Sequence, residues 1–337
     1  MREPLPWIDY QKIREIPSLQ SPFTVNEVVD LLELWCVSSI DKAISTSELV
    51  NFFDDNLAIT EDDETSDRDS LVTPSIVKKE EFFNFVHRRL KYRYKKWGDN
   101  WPFRIYSSRN NIEIRYIPNV KNINYLVLLF CSNLSIIKRQ YRNLFTSTFE
   151  MLAFQHLIFL HPPESGWITK SMGANNKSIH TYTGASQLEK IEALAKDLQC
   201  NLNRNYRPTT AGDGGIDLVS FLSFDDSRAS ASLVFGQCAC TQSKRELVSK
   251  ISETSFDNIR GKIEIDSIPL NYLYTPQDLK SEVKPSNFDL DSTRNAIIID
   301  RTRMLFKDCN YSKVIDATLR SYLYSFIYLR ENYCEAV

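Results

Sequence analysis

Three of the chain's nine glycines fall within four residues, in the stretch Ala211-Gly-Asp-Gly-Gly-Ile-Asp-Leu-Val219. Glycine enters left-handed backbone freely, so such a cluster in a glycine-poor chain marks a tight turn with close backbone approach. The turn feeds Asp217 into an apolar run, Ile216–Phe224, and a second run, Ala231–Cys238, follows the connection Asp225-Asp-Ser-Arg. Two apolar runs joined by a short polar link read as paired strands. Side chains alternate along a strand, so Gln237 and Ala239 share one face, and Cys238 and Cys240 the other. A hairpin then brings Gln237 beside Asp217, next to the carbonyl of residue 238.

The rest of the chain supplies layers to cover such a hairpin. Residues 24–53 read as helical behind Thr24 as N-cap, and 54–75 as an acidic loop or linker without apolar periodicity. Helix returns over 76–97 and ends in the most basic run of the chain, Arg88-Arg-Leu-Lys-Tyr-Arg-Tyr-Lys-Lys96. Residues 103–106 and 112–117 alternate as a β-hairpin, and 125–131 is a buried segment too short to span a bilayer. Residues 133–160 are helical with a break near Thr146-Ser-Thr148, and 161–182 read as loop. Ser186 caps a helix reaching Leu198, and Ser243 caps another over 244–252. A strand at 269–274, a strand or helix start at 296–300 and an amphipathic helix at 312–333 complete the pattern. From residue 147 onward this order of elements is an α/β arrangement. A length of 337 residues fits two domains. We expect a smaller mixed α/β domain over 1–135 and an α/β domain over 136–337.

A phosphodiester resists hydrolysis because its oxygens repel a nucleophile. A divalent cation held by carboxylate and amide oxygens on neighbouring strands relieves that repulsion and lowers the pKa of its bound water. The Asp217–Gln237 pair has the right atom types for such a site. It also resembles a known family. Gly-Gly-Ile-Asp, a hairpin, then Gln-x-Lys at a strand end is the pattern of the Mrr-like branch of the PD-(D/E)XK nucleases, which include restriction endonucleases and Holliday junction resolvases. A glutamate on a preceding helix, in a context such as Phe-Glu-x-Leu-Ala, belongs to the same pattern and is similar to Phe149-Glu150-Met-Leu-Ala153. The resemblance covers roughly residues 146–275.

The resemblance implies a restriction-endonuclease-like core, a mixed sheet flanked by helices, that performs magnesium- or manganese-dependent hydrolysis of DNA. It implies Glu150, Asp217 and Gln237 as metal ligands and Asp213 as an accessory acid. The chain departs from the pattern in two ways: 67 residues separate Glu150 from Asp217, and the lysine of Gln-x-Lys falls at Ala239. The family tolerates a lysine supplied from the following helix, which singles out Lys244 and then Lys250. The family's usual role implies defence against foreign DNA. The alternative is a catalytically inactive nuclease-fold module that binds DNA or a partner subunit of a defence complex, and Ala239 is its main support.

A net charge of −2 leaves no global attraction to nucleic acid, so any DNA surface is local. The candidates are Arg88, Arg89, Lys91, Arg93, Lys95 and Lys96, interleaved with Tyr92 and Tyr94 in a way that suits phosphate contact and base stacking. Cys238-Ala-Cys240 lacks a second pair at zinc spacing and reads as small residues facing the core. No phosphate-cradling Gly-Lys-Ser/Thr loop, dinucleotide fingerprint or H-E-x-x-H stretch occurs. Seven scattered cysteines, with no apolar leader core and no run near eighteen apolar residues, point to free thiols in a reducing cytoplasm and to no membrane contact. Cleavage of both DNA strands would call for two sites, which is compatible with a homodimer.

Overall fold

The computed structural model describes residues 5–9, 12, 25–39, 41–48, 72–107, 112–117, 123–172, 180–184, 186–208, 214–222, 224, 232–279, 296–305, 311 and 314–327. The chain divides into two compact units, one of Met1–Asn143, Leu279–Pro285 and Asp316–Val337, the other of Leu144–Asp278 and Ser286–Ile315. Both mix helices with a sheet, so the fold class is mixed α/β.

The first unit holds helices α1 (Val25–Ser38), α2 (Val72–Trp97) and α3 (Ile123–Ser132) and strands β1 (Ala43–Ser45), β2 (Phe103–Ser107) and β3 (Ile112–Tyr116). The strands form an antiparallel sheet in the order β1-β3-β2. The expected hairpin at 103–106 and 112–117 is β2–β3, whereas the buried segment at 125–131 is the helix α3. Helix Ala317–Ile327 also belongs to this unit, although the sequence reading assigned it to the 136–337 domain. Its Phe326 packs edge-on against Phe130 with ring centroids 5.0 Å apart, and Phe130 in turn meets Trp7 at 5.2 Å. The apolar face of this helix finds its cover there, which fixes its unit. The acidic loop 54–75 has only its last residues, in the first turn of α2, among the described ones.

Charge is built into this core. The guanidinium of Arg93, on α2, is fully buried and pairs with Asp30 and Glu33 of α1, each at 2.7 Å. Glu33 also accepts from the Trp101 indole at 3.0 Å and from the Tyr125 hydroxyl. Removing one partner of such a group strands the others in a medium that solvates them poorly. Arg93→Leu should therefore cost about 3–5 kcal/mol in urea unfolding.

The second unit contains a five-stranded sheet in the order β4-β5-β6-β7-β8: Trp167–Ser171, Leu218–Leu222, Ser232–Cys238, Leu270–Tyr274 and Ile297–Ile299. The pairs β4–β5 and β5–β6 are antiparallel, while β6–β7 and β7–β8 are parallel, so the sheet is mixed. Its helices are α4 (Arg139–Leu160, within which the unit begins), α5 (Gln187–Asp197), α6 (Lys244–Glu253), α7 (Phe256–Arg260) and the short α8 (Arg301–Met304). Both α5 and α6 start with a Ser-x-x-Glu box: the Ser186 hydroxyl accepts from the Glu189 N–H, and the Ser243 hydroxyl from the Glu246 N–H, each at 3.3 Å. No break occurs at 146–148: the helix runs through, and the Thr148 hydroxyl donates to the Leu144 carbonyl at 2.8 Å instead of capping a new helix. Strand β4 lies in the stretch 161–182 that the sequence reads as loop.

The two faces of this sheet have different covers. Val219, Phe221, Leu233 and Phe235 pack against Ile191, Leu194 and Ala195 of α5 and Ile259 of α7. Leu273, in register with Gln237, packs on the same face with Leu247 and Ile251 of α6. The opposite face carries Tyr274, whose ring meets His156 of α4 at 5.8 Å. Burial there lowers the His156 pKa to about 4, with a minor opposing hydrogen bond to the backbone of Arg303. The unfolded histidine takes its proton near pH 6.5, so between these values the unfolded chain binds more protons and stability falls as pH drops. The loss should reach up to about 3 kcal/mol at the acid end. Urea unfolding at several pH values should show it, and His156→Leu should flatten the dependence.

Candidate metal centre

Two consecutive glycines in left-handed backbone, Gly214 (φ 72) and Gly215 (φ 74), make the turn that precedes β5. The turn is wedged between two helices. A Cβ on Gly214 would lie 2.8 Å from the Gln187 side-chain nitrogen of α5, and one on Gly215 would lie 3.1 Å from Glu253 of α6. Asp217 follows at the mouth of the strand, tied on both sides. Its N–H donates to the Gly236 carbonyl at 3.1 Å, and its carbonyl accepts from the Met172 N–H at 2.8 Å.

The Asp217 carboxylate accepts from the Cys238 N–H at 2.6 Å, so strand β6 sets its orientation. With Leu218 opposite Gly236 in the antiparallel register, Asp217 lies next to Gln237 on the face covered by α5 and α6. Gln237 is 1% exposed. Its side-chain nitrogen donates to the Gly215 carbonyl, while its side-chain oxygen is buried with no hydrogen-bond partner. An orphaned amide oxygen of this kind is uncommon, since burying an unpaired acceptor is costly. Beside a carboxylate it is the atom that a hard divalent cation would satisfy.

The other expected site residues are placed as follows. Glu150 is partly buried on α4, whose His156 meets Tyr274 on the face of the sheet opposite Gln237. The helix leaning on the glycine turn is α5, through Gln187 and Ile191. Asp213 and the side chain of Lys244 lie outside the described residues. Lys250 pairs with Glu253 at 2.9 Å and is 40% exposed. It lines a cavity of about 360 Å³ together with Cys238, Ala239, Cys240 and Glu246. Cys238 and Cys240 are half-buried there, and Ala239 packs with Leu247, Ile251 and Leu273. The position where the family pattern has lysine is thus part of an apolar cluster. Among the described residues no group of three or more His, Cys, Asp or Glu side chains is disposed to hold a metal. A cation here would rest on Asp217 and the Gln237 oxygen.

One buried cation near the turn escaped the sequence reading. Lys190 of α5 is 7% exposed, and its ammonium donates to the Met172 carbonyl at 3.0 Å. The signal was available, because Lys190 sits on the apolar stripe of Ile191, Leu194 and Ala195 rather than on the solvent face.

The expected DNA-contact set on α2 is corrected by burial. Arg93 is consumed by Asp30 and Glu33, and Arg89 is buried with its guanidinium 4.6 Å from the Tyr92 ring. Both lie on the stripe that carries Val86, Leu90 and Trp97 into the core. Arg88, Lys91, Lys95 and Lys96 are exposed.

No family model and no curated protein matches the chain. Among solved structures it is similar to the MspJI restriction endonuclease in complex with a 27-mer oligonucleotide, at 15% identity and a TM-score of 0.20, over 41% of this chain. The chain spans 30% of that protein's length. Among the described residues no helix is long and apolar enough to cross a membrane.

A side chain on Gly215 would force both a left-handed non-glycine residue and a close contact with Glu253. Gly215→Ala should cost at least about 1–2 kcal/mol, read as a lower melting temperature.

Proposed function

We propose that the second unit is a metal-dependent DNA endonuclease domain, with Asp217 and Gln237 as protein ligands for Mg2+ or Mn2+. One observation carries this reading: the buried, unpartnered side-chain oxygen of Gln237 beside the Asp217 carboxylate. The resemblance of Gly-Gly-Ile-Asp and Gln237 to the Mrr-like pattern points the same way. A divalent ion there would neutralise charge on a phosphate and lower the pKa of its bound water. The protein's own contribution is preorganisation. The Cys238 N–H fixes the carboxylate, the Gly215 carbonyl fixes the amide, and the two strands keep the pair rigid. The exposed Arg88, Lys91, Lys95 and Lys96 offer phosphate contacts on the first unit. Foreign DNA in the cytoplasm is the substrate in this reading, and a homodimer would supply two sites for cutting both strands.

A second reading has one observation in its favour. Ala239 is packed into an apolar cluster, so the strand end lacks the ammonium that the family pattern places there. In that reading the unit binds DNA, or a partner subunit of a defence complex, without cutting.

The two readings separate in one experiment. Mn2+ calorimetry is run with cleavage of linear, supercoiled and branched DNA, for the wild type and Asp217→Asn. The endonuclease reading expects Mn2+ affinity and cleavage to fall by more than about a hundredfold in Asp217→Asn, since even outer-shell changes at metal sites cost 10–100-fold. DNA binding without cleavage by the wild type would favour the binding module. Cleavage that survives Asp217→Asn would remove Asp217 from the site.

A further inference from the structure

We infer that Lys190 of α5 provides the positive charge that position 239 does not, and that it binds a non-bridging oxygen of the phosphodiester held at the Asp217–Gln237 pair. This rests on the endonuclease reading. An ammonium has three donors. Among the described residues, that of Lys190 has one acceptor, the Met172 carbonyl, and no carboxylate pairs with it. At 7% exposure it is largely out of water as well. A buried charge without a counter-charge is costly to maintain, and an anion brought beside it would relieve that cost.

Its location identifies the anion. Met172 is the neighbour of Asp217 across the β4–β5 edge, its N–H donating to the Asp217 carbonyl at 2.8 Å. The Lys190 ammonium thus sits on the carbonyl of the residue that pairs with Asp217 across that edge. Gln187 and Ile191, one turn before Lys190 and next to it on α5, are the residues against Gly214. One face of one helix thus serves both the glycine turn and the cation. Lys250 differs, because the Glu253 carboxylate already neutralises it. A lysine stem is long and flexible, so its ammonium can turn from a backbone carbonyl to a phosphate oxygen without helix movement.

The test compares the wild type, Lys190→Met and Asp217→Asn by thermal melting, Mn2+ calorimetry and cleavage of supercoiled DNA. Methionine keeps the unbranched stem and removes the charge. Lys190→Met should melt at or above the wild-type temperature, because an unpaired buried charge is gone. It should bind Mn2+ at least about threefold more tightly, since a nearby positive charge no longer opposes the ion. It should cleave at least about a hundredfold more slowly, the scale of losing one charge-stabilising donor. Cleavage at the wild-type rate would overturn the inference. So would a large drop in melting temperature with unchanged Mn2+ affinity, which would make Lys190 a structural clamp on Met172. Mn2+ binding that persists in Asp217→Asn would instead overturn the metal reading beneath it.

Discussion

Asp217 is held in the sheet by two backbone hydrogen bonds, one to each neighbouring strand, and the second unit is arranged around that fixed point. A carboxylate at a fraying strand end would sample many positions. Here the peptide of Asp217 is paired with Gly236 on one side and Met172 on the other, and its carboxylate is caught by the Cys238 N–H. The glycine turn before it is braced by Gln187 and Glu253 from two helices. The sheet positions the carboxylate and the helices restrain the loop, so neither task falls to a flexible segment.

The turn and its strands were legible because glycine is scarce enough elsewhere for a cluster to stand out. The Ser186 and Ser243 helix starts were legible too, since a Ser-x-x-Glu box is a local device with a local cause. What escaped was tertiary. Nothing local tells which helix covers which face of the sheet, so the bracing of the glycine turn by α5 could not be read from the sequence. Strand β4 was hidden because Trp167-Ile-Thr-Lys-Ser171 is short and flanked by Pro, Gly and Asn. The basic run on α2 misled for a further reason. Charge composition was read without helical phase, although Val86, Arg89, Leu90, Arg93 and Trp97 recur at helical spacing and go inward together.

Two buried polar groups of the chain are met in different ways. In the first, a buried arginine is met by two carboxylates and further neutral donors converge on Glu33, so the network is closed. In the second, among the described residues, the Gln237 oxygen has no donor and the Lys190 ammonium has the Met172 carbonyl but no carboxylate. A closed network specifies a fold.

The chain order has a consequence for how this protein could have arisen and how it can be divided. Helix Ala317–Ile327 returns to the unit begun by Trp7 and Phe130, so the sheet-bearing second unit is, in sequence, an insertion inside the first. A cut near residue 136 would not separate two modules. It would strip Phe130 and Trp7 of Phe326 and leave the second fragment carrying an apolar helix without that cover. A single recombination crossover therefore cannot exchange one unit while sparing the other.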